Sequence, residues 1–281
     1  MRWLKVENRE THKSIISMIH KTAVVSEYAQ IAADVEVGPY SVIGSKVKIG
    51  PKVKIATSCV IDGDTTIGAG CQIYSGVVIG SPPQDLKYKG EDTQVVIGEN
   101  NIIREYTTIN LGTVEKGVTT VGNNNLIMAY SHIAHDCIVG DNCVLANCAT
   151  LAGHVTIEDK TVIGGLVAIH QFTRVGKFSI IGGCSKVVQD IPPFSTCDGH
   201  PARVYGLNLV GLRRAQVPSN VISDLKSAFK YLFFTGLSKT HAIEKLQSCI
   251  NKSHEVNYLI DFLKSSSRGI ARAVSTQETP A

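Results

Sequence analysis

Along most of this chain every sixth residue is aliphatic. The series runs Ile19, Val25, Ile31, Val37, Ile43, Ile49, Ile55, Ile61, Ile67, Ile73 and Ile79, resumes at Ile97, Ile103 and Ile109, and continues from Val121 through Ile127, Ile133, Val139, Leu145 and Leu151 to Val187. Of the 29 positions in this register, 26 are Ile, Val or Leu, and the exceptions are Asp85, Glu91 and Glu115. With aliphatics at about a quarter of all residues, chance does not produce such a run. A period of six fits neither a 3.6-residue helix nor a two-residue alternation. It fits short strands joined by tight turns, each sending one aliphatic into a narrow shaft, and so predicts a repeat solenoid.

Four residues after each aliphatic the chain prefers a compact side chain, as at Val47, Cys59, Thr65, Cys71, Ser131, Cys137, Cys143 and Ala149. Glycine often follows the aliphatic directly (Gly38, Gly44, Gly50, Gly68, Gly80, Gly98, Gly122, Gly140, Gly164, Gly176), which predicts sharp turns with unusual backbone angles. The pattern resembles the hexapeptide-repeat family. That resemblance implies a mainly β fold, a left-handed parallel β-helix with three flat sides, whereas ordinary parallel crossovers are right-handed.

Two stretches leave the repeat, 81–96 and 111–120, and both return in phase. Loops leaving a rigid shaft are where function concentrates. The repeat is expected to end near Asp190, before Pro192 and Pro193. From about Pro218 the pattern turns helical: Val221, Leu225, Phe229 and Leu232 share a face, with Ser219 as the expected N-cap, and further helices are expected near 238–250 and 254–265. The expected organisation is an N-terminal extension over 1–17, the β-helix over 18–190, and a C-terminal α-helical domain over 191–281 that covers the end of the shaft, its last residues, 266–281, frayed.

The 281 residues are 43% hydrophobic and 19% charged, the balance of a folded globular chain. Aromatic content is only 6%, which suits a narrow aliphatic shaft better than a wide core. A net charge of +4 does not argue for nucleic acid, and its distribution is uneven: residues 201–281 hold 11 Lys/Arg against 5 Asp/Glu, leaving 17 against 19 in the first 200. No apolar run reaches the roughly 20 residues that span a bilayer, and the first residues lack the apolar core of a secretory signal. The eight Cys show no C-x-x-C spacing; several fall at the small inward position, where a free thiol acts as a compact hydrophobe. These features together predict a reducing, cytoplasmic compartment.

The segment SHIAHD at 131–136 carries the candidate chemistry. If three hexads make one turn, residues 18 apart stack at about 4.8 Å. His135 then lies beside Gly153 and Gly153 beside Gln171, while Asp136 lies beside His154. One column holds an imidazole, a bare backbone and an amide, the parts that acyl transfer needs: a general base, and an N–H able to approach a developing oxyanion.

Beyond the generic repeat, PQDLKYKGE at 83–91, HIAHD at 132–136, LAGH at 151–154, IHQF at 169–172 and NLVGLRR at 208–214 resemble the UDP-N-acetylglucosamine O-acyltransferase family, in order, from about Met18 to Arg272. The resemblance implies transfer of an (R)-3-hydroxyacyl group from acyl carrier protein to the glucosamine 3-hydroxyl of UDP-N-acetylglucosamine, the first step of lipid A synthesis, by a bacterial homotrimer that needs neither metal nor cofactor. It makes His135 the general base, Asp136 its orienting partner and the Gly153 N–H the oxyanion donor. It places Gln84, Asp85, Lys87, His132, His154, His170, Gln171, Asn208 and Arg214 against substrate, and Gly183 where acyl length is measured. The basic tail offers a surface for an acidic carrier protein. Some positions depart from the family: Val210 replaces a common Glu, Asn110 a frequent His and Leu111 an Arg, and the segment from His200 to Arg203 differs near the acyl end.

Two rival readings remain. An N-acyltransferase of the same pathway carries a uridine-binding domain before its repeats, whereas here the repeat begins at Ile19. A γ-type carbonic anhydrase binds zinc through three His; His132, His135 and His154 are available, but the usual pair five residues apart is absent.

Overall fold

A computed structural model of the chain describes residues 18–249 and 253–274. The extension expected at 1–17 lies outside the described residues. From Met18 to Val187 the chain winds through short strands, most of them two residues long and nearly all ending on the sixth-residue aliphatic: Glu36–Val37, Lys48–Ile49, Val60–Ile61 and so on. Among the described residues these strands, with two more beyond Val187 in the largest sheet, assemble into three sheets of 11, 9 and 8 strands, and up to Val187 each strand pairs with the third one after it. The chain therefore turns through all three sheets on every coil, as a left-handed parallel β-helix does.

The register is 18 residues per coil, with Met18 opposite Glu36 and Leu126 opposite Val144. The step lengthens to 30 between Gln72 and Ile102 and to 24 between Ile102 and Leu126. These excesses of two hexads and one hexad are the two loops, and whole hexads are why the repeat resumes in phase. Strands at the loop feet lengthen (Val78–Ser81, Gln94–Ile97, Val118–Val121), so the excursions proper narrow to 82–93 and 111–117.

Ile43, Ile61, Ile79, Ile103, Ile133 and Ile163 are all at most 2% exposed, stacked down the shaft. Each such side chain contributes about 1.5–3 kcal/mol of burial. The compact inward positions have a second reason besides size. The thiols of Cys59 and Cys137 donate to the carbonyls of Tyr74 and Ala152, each 15 residues on and each at 3.1 Å, and the Ser41 hydroxyl donates to Ala56 O at 2.8 Å. A small donor at this point ties one coil to the next, which is why Cys, Ser and Thr alternate with Val there.

Gly80 takes the expected left-handed backbone, with φ +81°, but other glycines after the aliphatics have a different cause. Gly38, Gly50 and Gly122 do not adopt left-handed backbone; the residues two further on do, with φ near +60° at Tyr40, Lys52 and Asn124. What requires glycine is crowding by the adjacent coil: a Cβ on Gly38 would lie 2.5 Å from Ala56 O.

The shaft continues past Asp190. Ser195–Gly199 adds one more rung beside Ile180–Ile181 and then pairs antiparallel with Ala202–Leu207, a hairpin that the sequence pattern did not announce. Among the described residues four helices follow, α1 (Leu209–Arg214), α2 (Ser219–Phe233), α3 (Lys239–Cys249) and α4 (His254–Ser265). Ser219 is the first residue of α2 rather than its cap; Pro218 occupies the N-cap, with no side-chain bond. Residues 266–274 are not frayed: Ser266 Oγ donates to Asp190 at 2.7 Å, and Ala271 and Val274 bridge back to Asp190 and Val204. The helices are held to the shaft by Arg174, whose guanidinium lies 3.7 Å over the Phe262 ring, and by Tyr258, whose hydroxyl bonds Glu158.

Candidate active site

The triangular shaft has three edges, and the functional residues divide among them. His135 and Asp136 form the corner between strands His132–Ile133 and Ile138–Val139. The first of these strands pairs with Thr108–Asn110, which pairs with Val78–Ser81; the second pairs with Val118–Val121, which pairs with Gln94–Ile97. Both loops therefore leave the shaft from the same edge as His135, on the two preceding coils. Gly153–His154 and Gln171–Phe172 continue that edge on the two following coils.

At its centre His135 Nδ1 and Asp136 Oδ2 are 2.8 Å apart. Asp136 is completely buried. Its Oδ1 accepts from the Thr113 N–H at 2.9 Å and its Oδ2 from the Thr113 hydroxyl at 2.6 Å, while its own N–H donates to Thr119 Oγ1 at 2.8 Å. A carboxylate surrounded by donors only accepts, so His135 Nδ1 donates to it and Nε2 is the ring nitrogen turned away from Asp136. The ring lies directly over Gly153: a Cβ there would stand 2.5 Å from both Cε1 and Nε2. The stacking of imidazole on bare glycine expected from the 18-residue register is thus present. The Gly153 N–H has no hydrogen-bond partner among the described residues.

His154 closes the site from the next coil. Its ring stands edge-on to His135 (centroids 5.1 Å) and stacks on Phe172 at 4.5 Å. Its Nε2 lies 3.4 Å from Glu115 Oε2 and 3.6 Å from Asp136 Oδ2. His132 sits on the adjoining flat face, with Nδ1 2.7 Å from Thr108 Oγ1. Burial, and secondarily the neighbouring His135, hold its imidazole below the ordinary value of 6.5.

His170 and Gln171 are exposed on the same edge. In the first loop Gln84 and Lys87 are exposed, and Asp85 Oδ1 accepts the Lys87 N–H at 2.9 Å. Asn110 ties down the foot of that loop by donating from Nδ2 to Pro82 O at 3.0 Å and to Ser81 O at 3.3 Å. Three of the expected residues lie elsewhere. Asn208 caps α1, accepting from Gly211 N and donating to Phe178 O, on a second edge. Arg214 is exposed in the last turn of α1. Gly183 lies beside Gly165 on the third edge.

The residues not anticipated are Thr113, Glu115, Lys116 and Thr119, all from the second loop or its foot. The one signal for them in the sequence is that Ser81, Leu111 and His135 fall in one phase once whole hexads are subtracted. As for a metal, the imidazoles of His132, His135 and His154 do not converge. The group that does is His135, Asp136 and His154, with donor atoms within 4.8 Å of one another, and its carboxylate is already engaged by Thr113 and His135.

A family model described as Udp N-acetylglucosamine O-acyltransferase, Domain 2, matches residues 190–271, and one for the bacterial transferase hexapeptide (six repeats) matches 46–81 and 119–153. The acyl-[acyl-carrier-protein]–UDP-N-acetylglucosamine O-acyltransferase of Thiobacillus denitrificans is 50% identical, covering 92% of this chain and 100% of its own. Among solved structures, LpxA from Acinetobacter baumannii superposes with a TM-score of 0.88 at 43% identity, over 90% of this chain and 99% of that one. The UDP-N-acetylglucosamine acyltransferase of Francisella novicida gives 0.89 at 38%, over 93% and 96%. Neither rival reading has such support: the likeness runs through the shaft, both loops and the helical end, and on that footing the chain belongs to the UDP-N-acetylglucosamine O-acyltransferase family.

Proposed function

We propose that the chain moves an (R)-3-hydroxyacyl group from acyl carrier protein to the glucosamine 3-hydroxyl of UDP-N-acetylglucosamine, with His135 as the general base. The reaction class follows from family membership. The observation that supports the role of His135 is its placement, Nδ1 bonded to a buried Asp136 and the rest of the ring lying over Gly153. Nε2 takes the hydroxyl proton as the sugar oxygen attacks the thioester carbon. The C–O bond forms, the Gly153 N–H donates to the tetrahedral oxyanion, and the C–S bond then breaks as the imidazolium returns its proton to the leaving thiolate. Asp136 stabilises that imidazolium and keeps the ring in the productive tautomer. His132, His154, His170 and Gln171 line the acceptor and acyl pocket in this reading, with Gln84, Asp85 and Lys87 reaching in from the first loop. No cofactor is needed, because the thioester arrives activated.

A homotrimer explains the scatter of the remaining residues. Gly183 and Asn208 stand on edges of the shaft other than that of His135, so one protomer does not gather them at the base. Packing one shaft's edge against another's would bring acyl-measuring and nucleotide-binding residues to the base. Free buried thiols, hydrogen-bonded rather than paired, support a reducing cytoplasmic setting. The basic tail, with Arg213 and Arg214 exposed at the end of α1, suits an acidic carrier protein.

Incubating the protein with UDP-N-acetylglucosamine and a series of (R)-3-hydroxyacyl carrier protein thioesters, followed by mass spectrometry, should yield an O-acylated sugar nucleotide. His135→Ala should lower kcat by about 10²–10⁴, the usual contribution of a general base, without changing the melting temperature or the oligomer. A variant retaining a tenth or more of the rate would refute the role given to His135.

A further inference from the structure

The second loop, 111–117, rises from the catalytic edge one coil before His135 and bends back so that Thr113 meets Asp136. Two donors of one residue then hold both oxygens of one buried carboxylate, the backbone N–H on Oδ1 at 2.9 Å and the hydroxyl on Oδ2 at 2.6 Å. Oδ2 is also the oxygen that faces His135 Nδ1 at 2.8 Å. The loop is itself closed on this residue, since Gly117 N donates to Thr113 O at 2.7 Å, and Lys116 Nζ reaches Asp136 O at 3.1 Å.

We infer that Thr113 is a positioning residue for the transfer, fixing the plane of the Asp136 carboxylate and sharing its charge with His135, so that the second loop sets the basicity of the imidazole. The inference rests on the reading of His135 as base. Two donors on one carboxylate leave it one orientation, in which Oδ2 points at the ring. The hydroxyl also competes with the His135 N–H for the same oxygen, and a carboxylate that already receives a short hydrogen bond attracts an imidazolium less strongly. The other charged or titratable groups around His135 are His132 on the preceding strand, His154 on the next corner, Glu115 acting through His154, and Lys116 on the Asp136 carbonyl. Among the described residues Thr113 is the one hydrogen-bond donor besides His135 on that carboxylate oxygen, with His154 Nε2 farther off at 3.6 Å.

The test compares Thr113→Val, which has nearly the same shape and no hydroxyl, with Thr113→Ser, which keeps it. Valine should lower kcat about tenfold, the scale of one hydrogen bond to a charged group, with KM for the sugar nucleotide changed less than twofold. The sign of the pH effect follows from the competition. With Oδ2 relieved of the hydroxyl, the imidazolium is held more tightly, His135 protonates at higher pH, and the acid limb of kcat/KM moves upward in pH. Serine should restore both the rate and the limb. In an Asp136→Ala background valine should cost less than twofold more, because nothing remains to position. Thr113→Cys, which keeps the volume but donates weakly, should show the same directions and serves if valine disturbs the fold.

A wild-type rate in Thr113→Val and Thr113→Cys, a loss without movement of the acid limb, or a loss undiminished in the Asp136→Ala background would each overturn the inference. Failure of the underlying reading looks different: there His135→Ala itself stays active.

Discussion

Gly153 shows how little room a single residue has at this site. Its φ is not in the left-handed region, so alanine would fit the backbone; what forbids it is the His135 ring, 2.5 Å from where the Cβ would sit. In Gly153→Ala either the ring or the corner must shift by several tenths of an ångström or more, and displacements of about 1 Å from a reactive geometry cost on the order of 10² in rate. We expect kcat to fall about a hundredfold while the melting temperature moves by only a few degrees, because the clash is met by a side chain at the surface of the shaft rather than in its core. A Gly153→Ala enzyme with more than half the wild-type kcat would show that the ring does not need its position over the glycine. This pair is legible in the amino-acid sequence alone, since the 18-residue period by itself sets His135 over Gly153. Thr113 is not, because its partner lies 23 residues away across an insertion, and only a register counted through the loop connects them.

At the scale of elements, the strands and the helices beyond 218 are legible in the sequence for a simple reason: each is marked by a local period, six for the shaft and 3.6 for the helices. The hairpin over 195–207 carries no such period. Its residues pair partly with the shaft and partly with themselves, with a register shift between Thr196 and Cys197, and tertiary pairing rather than pattern makes it a strand pair. The first loop is held in a comparable, non-periodic way. Asn110 reaches back to two carbonyls at its foot, Ser81 O and Pro82 O, and Leu111 N adds a third bond to Ser81 O at 2.9 Å. Asn110 thus places an amide donor where two carbonyls of the loop foot converge. Asn110→Ala should loosen 82–93, which carries Gln84, Asp85 and Lys87, without touching His135. We expect a rise of about fivefold to tenfold in KM for the sugar nucleotide, kcat within twofold, and about 1–2 kcal/mol of lost stability from the broken bonds. Steady-state kinetics with a parallel denaturant titration checks it; a fall in kcat at unchanged KM would mean that Asn110 serves the chemistry and not the loop.

Across the whole molecule, a solenoid holds together by contacts between neighbouring coils, so its stability is nearly a sum of rungs and interfaces and unfolding need not be all-or-none. The two ends of this shaft differ. At the C-terminal end the last rungs are covered by the hairpin and tied to α4 through Tyr258–Glu158, Arg174 over Phe262 and Ser266 on Asp190. At the other end of the described residues Ile19, Val25 and Ile31 are only partly buried, whereas Ile43 and the aliphatics beyond it are enclosed. The inward cysteines report on this difference. Burial raises the thiols of Cys59 and Cys71, pushes that of Cys143 up to about 11 and that of Cys137 to about 12, so none of them presents a reactive thiolate while its coil is closed, whereas Cys184 is exposed. Pulsed alkylation at pH 8 should therefore modify Cys184 in the native protein and spare the other four. In rising denaturant, Cys59 and Cys71 should become labelled before Cys143 and Cys137, because unwinding starts at the less covered end and the clasp of α4 delays the coils nearest to it. Peptide mapping after each pulse resolves the order. Simultaneous labelling of all four would mean that the shaft unfolds as one cooperative unit, and the helical end would then lose the protective role that its contacts give it here.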